Sequence, residues 1–415
     1  MRIRCMDCGQ EYAVDEPVTR CACGGLLDVV HPLAQYEAAR LRAVFDERLG
    51  RRRGILASGV WRYRELIAGF ADADIVSKPE GNTNLYDDRR LAAWAGVDTL
   101  LLKHEGENPT ASFKDRGMTV AISHARRLGA RVVACASTGN TSASLAAYAA
   151  AAGMVGLTFV PDGKLSVGKL SQTIAYGAKV VQVRGDFDAA MALVQAVAAR
   201  GGVYLLNSLN PWRLEGQKSI CIETMHELGW RAPDWVVLPG GNLGNSSAYG
   251  KALEELRAVG LLDRLPRLAV IQAAGANPFY QAFMSGWASF APVTASTIAT
   301  AIQIGNPVSY ARARRAVELT GGVVEQVTDA EIMAAKVEID RAGIGCEPAS
   351  AATLAGLRKL VAAGVVRPGA TVVGVLTGHL LKDQDANLAA HTAGGLAPIV
   401  VEPTLAAVEA LLATL

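Results

Sequence analysis

The chain has 415 residues, 51% of them hydrophobic, with 42 glycines and a formal net charge of +2. So neutral a balance makes no electrostatic case for nucleic acid or an anionic membrane surface, and no apolar run approaches the roughly 20 residues that span a bilayer. The length fits about two or three domains, and the apolar and glycine content fits a packed, turn-rich α/β enzyme.

The opening Met1-Arg-Ile-Arg-Cys-Met-Asp-Cys lacks the apolar region of a secretory signal, so a cytoplasmic protein is expected. Its seven cysteines are then not read as a disulfide framework. Four of them fall in the first 23 residues, as Cys5-x-x-Cys8 and Cys21-x-Cys23. The segment between the pairs is long enough for a short hairpin, and Gly24-Gly25 lets the chain turn tightly around an ion. Four thiolates close a tetrahedral site and leave no position for substrate. Residues 1–33 are therefore expected to form a small ribbon holding a structural Zn2+ through Cys5, Cys8, Cys21 and Cys23. The alternatives are a metal-free knuckle, His31 in place of one cysteine, or a redox-active CxxC, which here lacks a βαβ context. Arg20 is the only basic residue between the cysteine pairs, which argues against a nucleic-acid ribbon. Cys135, Cys221 and Cys346 lie in apolar stretches and read as packing residues.

Residues 34–74 read as a connecting helical arm, with a basic helical stretch Tyr36–Arg53 followed by Trp61-Arg-Tyr-Arg-Glu-Leu. From about residue 75 short apolar runs alternate with longer helical ones. Strands are expected at Thr99–Lys103, Arg131–Ala136, Leu157–Pro161, Lys179–Val183, Trp235–Pro239, Leu268–Ala273 and Thr371–Leu376. Ala-rich amphipathic segments such as Ser142–Ala152 and Ser247–Val259 lie between them. That alternation implies parallel sheets covered on both faces.

Asn108-Pro-Thr-Ala-Ser-Phe-Lys-Asp-Arg-Gly-Met118 places Lys114 between a turn and a helix start. Asn108 precedes proline and is kept out of the helical region, and Ser112 is the candidate cap for the helix. The positive end of that helix disfavours the ammonium form of Lys114 and favours free amine, which is what imine formation with an aldehyde requires. Three junctions stand at strand ends, where open α/β sheets hold ligands. They are Ser137-Thr-Gly-Asn-Thr-Ser142, Gly240-Gly-Asn-Leu-Gly-Asn245 and Thr377-Gly378. The second has the physics of a cradle for a single phosphate: close backbone approach, free N–H groups and a following helix. It lacks the Gly-Lys-Ser/Thr of a nucleotide loop and the spacing of a dinucleotide site. A phosphate cradle together with an activated lysine points to pyridoxal phosphate.

Further runs include Ser77-Lys-Pro-Glu-Gly-Asn-Thr, Cys135-Ala-Ser-Thr-Gly-Asn-Thr-Ser-Ala-Ser144, Asn207-Ser-Leu-Asn-Pro-Trp-Arg-Leu-Glu-Gly-Gln217, Ile304-Gly-Asn-Pro307, Cys346-Glu-Pro-Ala-Ser350 and Leu376-Thr-Gly-His379. With the Lys114 segment they form a collinear set from about residue 77 to 383. The set resembles the threonine synthase family, some of whose members carry a similar cysteine ribbon. Two departures stand out: the family usually has Pro at the position of Asn84 and Gly at that of Ala111.

The resemblance implies a fold-type II pyridoxal phosphate enzyme of the α/β class, with two parallel-sheet domains and the active site between them. Residues 75–415 would be the catalytic region, with a smaller mobile domain at about 118–205 and a larger domain from the remainder. It implies that Lys114 forms the imine with the cofactor and later shuttles protons. Asn140 would bond the cofactor's 3-hydroxyl and Thr377 the pyridine nitrogen. Backbone N–H groups of Gly240, Gly241, Asn242, Leu243, Gly244 and Asn245 would hold its phosphate. Ser137, Thr138 and Thr141 would hold the substrate carboxylate, and Ser208, Arg213 and Asn242 its phosphate. The implied reaction converts O-phosphohomoserine and water to threonine and phosphate, in a homodimer with a small phosphorylated amino acid as its partner. The rivals are β-replacement on O-phosphoserine, as in cysteate synthase, and a non-catalytic cofactor-binding homologue, against which the intact Lys114 argues.

Overall fold

The computed structural model describes residues 1–162, 167–185, 187–393 and 399–414. The segments 163–166 and 186, inside the range expected for the smaller domain, lie outside the described residues.

The N-terminal segment forms a small antiparallel sheet of β1 (Arg2–Cys5), β2 (Glu11–Tyr12) and β3 (Leu27–Val30), in the order β2-β1-β3. Strand alternation turns Ile3 and Cys5 inward, and Leu27 and Val29 likewise. The two glycines before β3 have separate reasons to be there. Gly24 sits at φ +87, which side chains rarely adopt, and a Cβ on Gly25 would come within 2.7 Å of Cys5 Sγ.

The next segment contains the helix Ala38–Leu49, inside the expected helical stretch, which buries Leu41 and Phe45. It is more than an arm. Trp61, Tyr63, Leu66 and Ile67 are fully buried. They join one apolar cluster with Ile3, Leu27 and Val29 of the first sheet and with Met118, Ile220 and Leu253 of the body. The sequence reading missed this because Arg62 and Arg64 interrupt the apolar pattern.

The body holds two further sheets. Strands β4 (Leu85–Asp87), β5 (Thr99–His104), β6 (Val132–Ala136), β7 (Val155–Pro161), β8 (Lys179–Val183) and β9 (Tyr204–Leu205) come first in the chain. Then follow β10 (Trp235–Pro239), β11 (Arg267–Ala273), β12 (Val323–Val327) and β13 (Thr371–Leu376). The larger sheet runs β12-β11-β10-β13-β5-β4, parallel except for β4; the smaller runs β8-β7-β6-β9, all parallel. All seven expected strands are present. Strand β12 escaped the reading because Val-Val-Glu-Gln-Val sits at a sheet edge and is only partly buried, so it needs no continuous apolar run. Strands β4 and β9 are too short to leave a pattern.

The helices Lys114–Arg127 and Pro211–Glu227 cross in close contact. A Cβ on Gly117 would stand 2.6 Å from the carbonyl oxygen of Arg213, and one on Gly216 would overlap that of Arg116. This close approach puts Arg213 beside the start of the Lys114 helix. Gly216→Ala must push the helices apart, so a loss of about 3 kcal/mol is expected, at the upper end of overpacking costs. A melting temperature within a degree or two of wild type would show that the crossing yields easily. No helix among the described residues is long and apolar enough to cross a membrane.

Candidate active site

Lys114 opens its helix, but Ser112 does not cap it. The helix start carries no side-chain cap, and Ser112 Oγ is buried without a partner. Residues 111–113 are instead drawn into a short antiparallel pairing with the end of β13. Ser112 bridges Gly378, the Phe113 N–H donates to Thr377 O at 3.0 Å, and the His379 N–H donates to Ala111 O at 3.0 Å. Asp115 secures the turn in place of a cap. Its carboxylate accepts from the N–H and the hydroxyl of Thr110, both at 2.6 Å, and from Ser144 Oγ at 2.5 Å. Arg116, fully buried, lies between Glu105 and Glu223 at 2.6 and 2.7 Å and anchors the first turn from beneath. Ala111 adopts φ +64, the left-handed conformation that suits the glycine usual at this position.

The Lys114 amine is pulled down to about 7, chiefly by burial and then by the Arg213 guanidinium, with Glu347 opposing. The direction is the expected one, but burial is the main cause rather than the helix end. The side chain is half-buried, with Nζ 4.3 Å from the centre of the Phe113 ring.

After β10 the chain makes the expected turn, and its first two glycines are required by space. A Cβ on Gly240 would meet Val270 at 2.6 Å, and one on Gly241 would meet the Ile302 Cα at 2.9 Å. Leu243 adopts φ +62, and the helix Gly244–Ala258 begins at the next residue. The Gly240 N–H is not free for a ligand: it donates to Ile271 O at 2.6 Å, continuing the ladder with β11. That corrects the expected cradle at its first residue. The N–H groups of Gly241 to Asn245 have no protein partner among the described residues, and the Asn245 amide and Ser246 Oγ are buried without one. Buried donors rarely go unpaired, and a row of them at a helix N-terminus fits an anion. The residues present therefore fit a phosphate, and Ser246 joins the cradle unforeseen.

Asn140 begins the helix Asn140–Ala152 after β6, and Ser137, Thr138 and Thr141 stand around it, all half-buried. Asn140 Nδ2 donates to the Glu347 carboxylate at 3.0 and 3.3 Å. This bond ties the smaller sheet to the larger. The sequence reading quoted Glu347 within a motif but gave it no role. It is buried, which pushes its carboxyl up, and it lies so close to Gly378 that a Cβ there would strike its carboxylate. Thr377 follows β13, with its hydroxyl 2.9 Å from Ser350 Oγ.

Asn242 Nδ2 donates to Ser208 Oγ at 3.0 Å, while its Oδ1 accepts from the Val308 N–H at 2.7 Å. Arg213 is 1% exposed. Its Nη1 donates to Leu206 O at 2.7 Å, its Nε has no partner, and burial lowers it to about 10. Glu215 turns to Lys251, to Lys218 at 2.6 Å and to His31 at 2.6 Å. His31 therefore stays away from the cysteines.

Those cysteines converge. The Sγ atoms of Cys5, Cys8, Cys21 and Cys23 all lie within 4.8 Å of one another, with Cys5–Cys23 and Cys8–Cys21 at 3.6 Å. Backbone N–H groups of Asp7 and Gly25 point at Cys5 and Cys23 Sγ, both at 3.4 Å, and Tyr12 Oη lies 3.1 Å from Cys21 Sγ.

A family model for pyridoxal-phosphate dependent enzymes matches residues 76–378. The threonine synthase of Methanocaldococcus jannaschii is 47% identical over 389 residues, covering 93% of this chain and 94% of that one. That of Methanosarcina acetivorans is 46% identical over 384 residues, 92% of each chain. The chain belongs to the threonine synthase family of pyridoxal-phosphate-dependent enzymes. The solved structure of Escherichia coli threonine synthase matches with a TM-score of 0.72 over 98% of this chain and 94% of that one, at 18% identity, a likeness of fold.

Proposed function

We propose that the protein converts O-phosphohomoserine and water to threonine and phosphate. One observation carries the reading: beside a lysine with a lowered pKa stands the buried guanidinium of Arg213, and a separate row of unpaired N–H groups at 241–245 offers a second anion site. A cofactor with one phosphate and a substrate with another require two such sites.

Bound pyridoxal phosphate supplies the electron sink for charge developing on the substrate's carbons. The rest falls to the chain. Lys114 offers a free amine near neutral pH and later holds and moves the proton at the substrate's Cα. The N–H groups of Gly241 to Asn245 take the cofactor phosphate. Asn140 would meet the cofactor's 3-oxygen, and Thr377 its ring nitrogen. Ser137, Thr138 and Thr141 take the substrate carboxylate with side-chain hydroxyls and the helix N-terminus. Arg213 takes the substrate phosphate, with Ser208 and Asn242 beside it. As phosphate leaves from Cγ, permanent charge on Arg213 follows the growing negative charge. Closure of a smaller mobile domain, about residues 118–205, would keep water out until elimination is complete. We place the enzyme in the cytoplasm and, on the family resemblance, as a homodimer; solution mass of the purified protein checks the second point.

The deciding assay measures threonine and phosphate released from phosphohomoserine, with phosphoserine as competitor. Equal threonine and phosphate from phosphohomoserine is expected. Turnover of phosphoserine alone would assign the chain to β-replacement instead.

The four cysteines are proposed to hold one structural Zn2+. A tetrahedral ion with Zn–S near 2.3 Å would set its sulfurs about 3.8 Å apart, close to the spacings present, and the N–H and hydroxyl groups around them favour thiolates. The small sheet shares a core with the body and is bonded to it through His124 to Val14 O at 2.7 Å and His31 to Glu215. Chelation is therefore expected to lower the melting temperature of the whole chain in one transition, while the folded fraction keeps its kcat. Metal analysis without zinc, or two separate melting transitions, would count against this.

A further inference from the structure

Ser350 stands at the third position of the helix Pro348–Ala362 and is fully buried. Its Oγ accepts the Thr377 N–H at 2.9 Å and the Gly378 N–H at 3.0 Å. A hydroxyl oxygen has two lone pairs and one proton, so these two bonds exhaust its capacity to accept. The contact to Thr377 Oγ1 at 2.9 Å must then run from Ser350 to Thr377. The other acceptor in reach, Gly378 O, is 3.5 Å away and already takes the Glu347 N–H at 3.0 Å. Thr377 is 4% exposed, and no other group among the described residues bonds its hydroxyl. Its oxygen is therefore occupied from behind by a donor, and its own proton is left to be given forward. If the group in front were itself a donor, the buried Thr377 proton would have no acceptor, which is costly.

We infer that Ser350 is a positioning residue that fixes the direction of the Thr377 hydroxyl, making Thr377 a hydrogen-bond donor and so selecting an unprotonated acceptor nitrogen in the cofactor ring. The direction is imposed by two backbone N–H groups at the end of β13, which rigid sheet pairing holds in place. A neutral ring nitrogen withdraws electrons less strongly than a protonated one, so charge on the substrate stays more localised. That suits a reaction that must pass charge on to eliminate phosphate. The inference rests on the assignment of Thr377 to the ring nitrogen.

The test compares dissociation constants of the apoenzyme for pyridoxal phosphate and for its 1-deaza analogue, in which C–H replaces the ring nitrogen. Wild type is expected to prefer the natural cofactor by about three- to tenfold, the usual worth of one hydrogen bond. In Ser350→Ala that preference should shrink toward one, whatever the general loss of affinity, and Ser350→Thr, which keeps the hydroxyl, should retain it. The 15N shift of labelled cofactor should move in Ser350→Ala and return in Ser350→Thr. An unchanged ratio and shift in Ser350→Ala, with both altered in Thr377→Val, would overturn the role of Ser350. If Thr377→Val also leaves both unchanged, the assignment of Thr377 itself has failed. Should Ser350→Ala not fold, Ser350→Cys, a weak donor, serves in its place with the same outcomes.

Discussion

Lys114→Ala is expected to remove turnover by roughly four orders of magnitude or more, since one side chain serves as both the covalent anchor and the proton carrier. The purified variant should also lose the visible absorbance of the lysine-linked cofactor. An unchanged spectrum would place the linkage at another lysine. The pH dependence follows from the same residue. A lysine reacts when deprotonated, and this one is lowered from 10.5 to about 7 by burial and by Arg213. Capture of cofactor by the apoenzyme should therefore accelerate as pH rises through about 7 and then level off. A rate still climbing steeply at pH 9 to 10, as for an ordinary lysine near about 10.4, would show that the amine is not lowered.

Arg213→Ala is expected to cut kcat/KM for phosphohomoserine roughly a hundredfold, the scale of one lost charge-assisted contact, while the cofactor stays bound. Arg213 is buried with an unpartnered Nε, and nothing in the cradle at 241–245 depends on it. It also lowers the Lys114 amine, so its removal should move the cofactor-capture profile to higher pH. The two effects are separable: the first reads substrate phosphate, the second the field at Lys114. If the variant lost its cofactor yet turned over normally when cofactor was added in excess, Arg213 would belong to the cofactor phosphate. The two anion sites would then have to be exchanged.

Much of this architecture was legible along the chain. The apolar runs of β5, β10 and β13 announce buried parallel strands, because strands covered on both faces cannot alternate. The turn Gly240–Asn245 and the segment around Lys114 carry their chemistry in local spacing, since backbone N–H groups and a helix start need only a few consecutive residues. The paired cysteines do the same, and their sulfurs do converge.

What the sequence by itself determined, then, was each element that a short stretch can specify: strand, turn, a lysine at a helix start, thiol cluster and the order in which they come. Only the tertiary structure decided how those pieces satisfy one another. It took the Gly240 N–H into the sheet, denied Ser112 its capping role, and gave that work to Asp115. It brought Glu347 to Asn140 across 207 positions and Ser350 to Thr377 across 27, and it packed Trp61 and Tyr63 into the same core as the cysteine sheet. The physical reason is that a hydrogen bond or a buried contact depends on what stands opposite. A residue's neighbours in space follow from how sheets and helices close on one another, which local spacing does not encode.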